Sequence, residues 1–180
     1  MKRILSIALV VSAFLLCLTS CGWFGGGNNE EQTAKDEYIW SSEFESFIVC
    51  EEQTKDTERV RTHVILSTGT PPKVISPDGE VHAHEIVFGD VGREISDEAY
   101  SRLDRRADLL ALKSQKQSAY LIYAHNGSLA IAYSDIYARA IAVDYIVENI
   151  KDEKFAYEGV LAFEQKTLLT ITEKKSFPKR

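Results

Sequence analysis

The sequence predicts an α+β domain: a mainly antiparallel sheet of about eight strands with two main helices. Three observations carry that prediction. AYLIYAHNGSLAIAYS holds Asn126-Gly127 between two apolar runs, the strongest short-range hairpin signal. Two segments carry apolar residues at helical spacing: Tyr100, Leu103, Ala107 and Leu110 in the first, Ile136, Ala140, Val143, Val147 and Ile150 in the second. Several short runs rich in β-branched and aromatic residues are bounded by turn residues.

Taken in order, FESFIVCEE and ERVRTHVILS read as a first antiparallel pair joined by the polar QTKDT. In the first, Cys50 alternates with Phe44 and Ile48, which predicts a small buried side chain. In the second, Val60, Thr62, Val64 and Leu66 share one strand face, and Arg59, Arg61, His63 and Ile65 the other. KVIS, Pro77-Asp78-Gly79 and EVHAHEIVF read as a hairpin, because the proline, aspartate and glycine supply turn chemistry. Ser96 is the predicted N-cap of the first helix, with Asp97 and Glu98 at the positive end of its dipole. The Asn126-Gly127 hairpin pairs Ala124 with Leu129, Ile122 with Ile131 and Tyr120 with Tyr133. Both its faces are largely apolar, so it is expected to be central and covered on both sides. SDIYARAIAVDYIVENIKD follows as the second helix. YEGVLAFE and TLLTITEK close the chain as a final hairpin.

Ahead of this domain lies MKRILSIALVVSAFLLCLTSC. Lys2 and Arg3 precede an apolar run from Ile4 to Leu18, shorter than the roughly 20 residues a bilayer-spanning helix needs. Charge, then apolar run, then small residues is the order of an export signal. Leu18-Thr19-Ser20-Cys21 resembles the lipobox of bacterial lipoproteins: leucine, two small residues, cysteine. The resemblance covers residues 1–21. It implies a signal peptide over 1–20, cleavage before Cys21, and a diacylglyceryl thioether on Cys21. Gly22, where an aspartate would favour inner-membrane retention, implies sorting to the outer membrane in a cell with two membranes. Two or three acyl chains hold a protein on a bilayer effectively permanently, at about 0.8 kcal/mol per buried methylene. Residues 21–37, the lipidated cysteine and then glycine-rich and polar residues without periodicity, read as a tether, and 38–180 as one domain.

The net charge is −6, and −8 once the two signal-peptide cations are removed. That acidity argues against nucleic acid as a partner, since binding there is driven by clustered Lys and Arg. Of three cysteines, Cys17 leaves with the signal and Cys21 is the lipid site, so Cys50 has no intrachain disulfide partner. No cofactor is expected beyond the covalent lipid.

From Asp90 on, a helix, apolar strands, a second helix and then GVLAFEQKTLLTI resemble in outline the TPM-type bacterial envelope domains. The Asn126-Gly127 hairpin departs from that pattern and the first half has no counterpart, so no residue role is carried over.

The residues that could carry chemistry are few. His82 and His84, at i and i+2 of VHAHE, would share one strand face, with His63 on another strand. Two such imidazoles ligate a metal if a third ligand converges. The same histidines with Arg59 and Arg61 could instead meet an anion. Tyr120, Tyr133 and Tyr137 could line a pocket between the central hairpin and second helix. No GxSxG, HExxH or phosphate-binding glycine loop occurs. The expected function is therefore a lipid-anchored envelope protein whose domain binds or scaffolds another envelope component without catalysis. The alternatives are a metal-dependent hydrolase using His63, His82 and His84, and a carrier of a small apolar ligand.

Overall fold

The hairpin turn sets the centre of the molecule. In the computed structural model, which describes residues 39–114, 116–150 and 157–167, Asn126 and Gly127 both take positive φ, 48° and 71°. That is the combination a two-residue hairpin turn requires. The strands it joins are β4 (Gln117–His125) and β5 (Ser128–Tyr133). Their register pairs Ala124 with Leu129, Ile122 with Ile131 and Tyr120 with Tyr133, as the sequence predicts. The same register buries both faces of the hairpin.

Around this hairpin the chain builds β1 (Phe47–Val49), α1 (Lys55–Thr68), β2 (Lys73–Ile75), β3 (Glu85–Phe88), α2 (Glu94–Arg106) and α3 (Leu109–Lys113) before it, and α4 (Ile136–Asn149) and β6 (Gly159–Thr167) after it. The fold is α+β, as expected, but the sheet is mixed. Six strands are described, in the order β2-β1-β3-β5-β4-β6. β1 pairs in parallel with β2 and β3, and β3 in parallel with β5. β4 is antiparallel to both of its neighbours, β5 and β6. The expectation of about eight mainly antiparallel strands and two main helices is thus corrected to six strands in a mixed sheet with four helices among the described residues.

The largest correction is ERVRTHVILS, which is not a strand but most of α1. Thr54 caps it: the Thr54 hydroxyl accepts from the Thr57 N–H, and the Thr57 hydroxyl accepts from the Thr54 N–H. Asp56 and Glu58 sit in its first turn. Thr57, Val60 and Val64 bury one helical face, and Gly69 ends the helix at φ 74°. The QTKDT stretch is therefore a helix start and not a hairpin turn.

The second correction concerns KVIS and EVHAHEIVF. The turn does form, with the Gly79 N–H donating to the Ser76 carbonyl at 3.0 Å. β2 and β3 do not pair with each other, because β1 lies between them. Residues 76–84 instead carry the chain from β2 past β1 to β3. His82 and His84 fall in that connection, ahead of β3.

The helices cover both faces. Ile48, Ile86, Ile122 and Ile131 pack with Val60 and Val64 of α1 and Ala142 and Ile146 of α4. On the other face, Val49, Val87, Leu121 and Ala130 pack with Ala99 and Leu103 of α2. Two of the predicted stripes shift. α2 stops at Arg106 and Leu110 is 82% exposed, while Ala99 joins Leu103 in the core. α4 buries Ala138, Ala142, Val143 and Ile146 and leaves Ile136 exposed. β6 confirms YEGVLAFE as a strand, paired to β4; its expected partner, TLLTITEK, lies outside the described residues beyond Thr167. The predicted signal and tether, 1–37, also lie outside them.

Gly127→Ala is expected to lower stability by about 1–2 kcal/mol, the cost of a Cβ in a left-handed conformation. Asn126→Gly should leave stability near its starting value. Urea denaturation midpoints at constant slope measure both.

Candidate functional site

β1 and β3 lie side by side in parallel, with Val49 opposite Val87. Beyond their carboxyl ends the chain leaves in opposite directions. From β1 it runs to α1 on the Ile48 face; from β3 it runs to α2 on the Val87 face. Such a divergence opens a crevice outside the strand ends, the place where open parallel sheets hold ligands. A cleft of about 250 Å³ occupies it, lined by Cys50, Thr54, Asp90, Tyr100, Tyr133 and Arg139, with Glu51 and Glu52 alongside.

Each group is held by its element. Gly89 turns the chain out of β3 at φ 84°, and a Cβ there would sit 3.0 Å from the Tyr133 hydroxyl. Ser96 does not cap α2, as the sequence suggested; the helix starts earlier, with Arg93 at its N-cap. The fully buried Ser96 hydroxyl donates to the Gly89 carbonyl at 2.8 Å and accepts from the Val91 N–H at 3.3 Å, fixing the loop that carries Asp90. The Tyr100 hydroxyl donates to the Tyr133 carbonyl at 3.2 Å and accepts from the Tyr133 N–H at 3.3 Å, tying α2 to the end of β5. Arg139 of α4 donates from Nε to Asp56 of α1 at 2.8 Å, and its guanidinium lies 5.8 Å from the Tyr133 ring centroid.

Two groups that line the cleft are held in their protonated forms. Burial, and then the charge of Glu58, pushes the Cys50 thiol up, which keeps it protonated and weakly nucleophilic. Burial pushes the Tyr100 hydroxyl up to about 12, against the hydrogen bond with Tyr133 and with the help of Asp90 and Asp104. Both groups are therefore protonated at neutral pH, and the Tyr100 hydroxyl proton is already given to the Tyr133 carbonyl. The exposed Glu51, Glu52 and Asp90 place carboxylates at the mouth.

The residues singled out from sequence lie mostly elsewhere. His63 is on a helix, where its Nε2 donates to the Ile150 carbonyl and its ring meets Trp40 edge-on at 5.9 Å. His82 stacks on Phe47 at 4.0 Å, and His84, at φ 61°, stacks on Phe44 at 3.7 Å. The shared strand face expected for His82 and His84 does not exist, since neither is in a strand. Among the described residues no group of three or more His, Cys, Asp or Glu is arranged to hold a metal ion. Three of the chain's four histidines instead hold the segment 39–47 against the domain. Arg59 pairs with Asp144 at 2.6 Å and Arg61 with Glu58 at 3.4 Å. The three tyrosines do not share a pocket: Tyr120 is in the core, its hydroxyl pushed up to about 12 by burial and then by Glu164; Tyr137 is exposed; Tyr133 alone reaches the cleft. Cys50 is buried and free, as predicted. Cys21 lies outside the described residues.

Sequence reasoning missed Thr54, Asp90, Tyr100 and Arg139. The available signal was the pair of apolar runs, FIV and IVF, that break into CEEQT and GDVG. No family model matches the chain, and neither does any curated protein.

Asp135 caps α4 and so positions Arg139, accepting from the Tyr137 and Ala138 N–H groups at 2.9 and 3.0 Å. Its burial raises the carboxyl pKa, but hydrogen bonds from Ala138, Ser118, Ser134 and Tyr137 outweigh that and leave it lowered. A lowered folded-state value gives stability that is present above the ordinary carboxylate range and lost as pH falls through the folded value. Asp135→Ala should cost about 1 kcal/mol at neutral pH, and Asp135→Asn should flatten the acid limb of stability against pH. Denaturation from neutral to acid pH checks both. Gly89→Ala should also destabilise, and Gly89→Ala combined with Tyr133→Phe should recover part of the loss, because the clash with the hydroxyl is removed while the positive φ remains.

Proposed function

We propose that this chain is a lipid-anchored cell-envelope protein whose α+β domain binds another envelope component without catalysis, in the cleft between β1 and β3. The observation that carries the binding role is the position of that cleft at the divergence of two parallel strands, with polar groups brought to it from α1, α2, β5 and α4. The exposed Glu51, Glu52 and Asp90 carboxylates at its mouth offer hydrogen-bond acceptors to such a partner. The anchoring role rests on the order of Lys2-Arg3, the apolar run and Leu18-Thr19-Ser20-Cys21. Cys21 is the proposed lipid site, and the glycine-rich and polar stretch 22–37 links it to the domain. Among the described residues no helix is long and apolar enough to cross a membrane. The acidic balance of −6 suits a protein or small-molecule partner and not nucleic acid. In a cell with two membranes, Gly22 after the lipid site favours sorting to the outer one.

Two experiments test the two halves. Cys21→Ala should abolish incorporation of labelled palmitate and release the protein from washed membranes; unchanged labelling or retention would remove the anchor. A photo-cross-linking residue at Asp90 should capture one reproducible envelope component in the cell, and the same residue at Leu110, on exposed α3, should not. Equal capture from both positions would remove the cleft from the binding role.

A further inference from the structure

At the other end of the strands the sheet carries a second, larger cleft. β3 begins at Glu85, β5 at Ser128, and β4 ends at His125. There α2 and residues 81–83 frame a space of about 800 Å³, within the range of small-molecule sites.

Two charges lie in its lining, Glu85 and Arg93, with side chains only 3% and 6% exposed. Glu85 Oε1 accepts from the His82 N–H at 2.9 Å and faces Arg93 Nη2 at 3.5 Å. Nη2 also donates to the Glu80 carbonyl at 3.1 Å. The guanidinium is engaged through that one nitrogen, and its buried Nε has no hydrogen-bond partner among the described residues. A buried guanidinium with a donor unmet favours an acceptor brought to it, since buried polar groups are rarely left unpaired.

The wall above it has the opposite sign. Glu94 and Asp97 of α2 are exposed and line the same cleft, and no ion pair is formed by either among the described residues. Glu98, beside them, is already taken by Arg102 at 2.7 Å and Arg105 at 3.5 Å. Arg93 is the N-cap of α2 and Asp97 lies one turn on, its N–H donating to the Arg93 carbonyl at 2.9 Å. The rest of the lining joins apolar Val81, Ile95 and Tyr123, whose ring lies under the Arg102 guanidinium at 4.5 Å, to polar His82, Ser101, His125, Asn126 and Ser128.

From this we infer a second binding site, for a small zwitterion of the amino-acid or short-peptide class. Its carboxylate pairs with Arg93, its ammonium with Asp97 and Glu94, and its apolar side chain lies against Val81 and Ile95. A plain anion would meet the acidic wall, and a plain cation the buried guanidinium. The site is independent of the anchoring and of the cleft between β1 and β3, and it stands whether or not Cys21 is acylated.

The test is calorimetric titration of the full chain in detergent with three probes: alanylleucine, its N-acetyl form and its C-terminal amide. Alanylleucine should bind saturably, and each blocked form at least about tenfold more weakly, as loss of one charge-assisted contact requires. Asp97→Asn should weaken alanylleucine by a similar factor and leave the N-acetyl form unchanged; Arg93→Lys should do the converse with the amide. Arg93 is buried and its variant could fail to fold, whereas Asp97 is exposed, so Asp97→Asn decides the matter by itself. No saturation up to about 10 mM, equal binding of the three probes, or indifference to Asp97→Asn would each overturn the inference and leave Glu85–Arg93 as a purely structural pair.

Discussion

The parallel pairing of β1 with strands on both of its sides is the constraint on which the rest depends. β1 is three residues long and wholly buried, and it hydrogen-bonds to β2 and β3 at once. A parallel neighbour cannot be reached by a tight turn, so each pairing demands a connection that leaves the sheet. α1 makes one of these, covering the face that Ile48 and Ile86 present. The chain leaving β3 takes the other face, through α2. The divergence that results is what opens the cleft beside Cys50 and Gly89. Fold and candidate site thus share one cause.

The parts legible in the sequence are those written locally. The Asn126-Gly127 turn fixed a hairpin register to the residue, because turn chemistry and alternation act over neighbouring positions. The helix from Ile136 was legible from its length and apolar content, although its buried face was not, since a helix apolar nearly all round has no unique stripe. α1 was misread because Val60, Thr62, Val64 and Leu66 alternate as a strand does while Thr57, Val60 and Val64 also repeat as a helix does. Its cap uses a second threonine where a glutamate or glutamine is the familiar sign. β1 to β3 are three or four residues each, too short to show any period. Pro77-Asp78-Gly79 made its turn, yet which strands pair beyond a turn is decided by packing and not by the turn.

The candidate site was less legible than the fold for the same reason. Thr54, Asp90, Tyr100, Tyr133 and Arg139 come from five places in the chain and form no motif. The histidines drew notice because of their metal-binding chemistry, but imidazole is also a flat ring. Here that flatness is used: His82 lies within 9° of the Phe47 plane and His84 within 20° of the Phe44 plane. Stacked rings of this kind add to the apolar area they bury.

That use of the histidines has a mechanical side. Trp40, Phe44 and Phe47 are held in sequence by rings from α1 and from the connection before β3, and Ile39 and Trp40, the first of the described residues, are buried. Along the described chain, a large indole comes first, then two stacked rings, and only then β1. β1 is bonded along both edges, so a pull along its axis loads both ladders in shear, and their hydrogen bonds share the force instead of opening one after another.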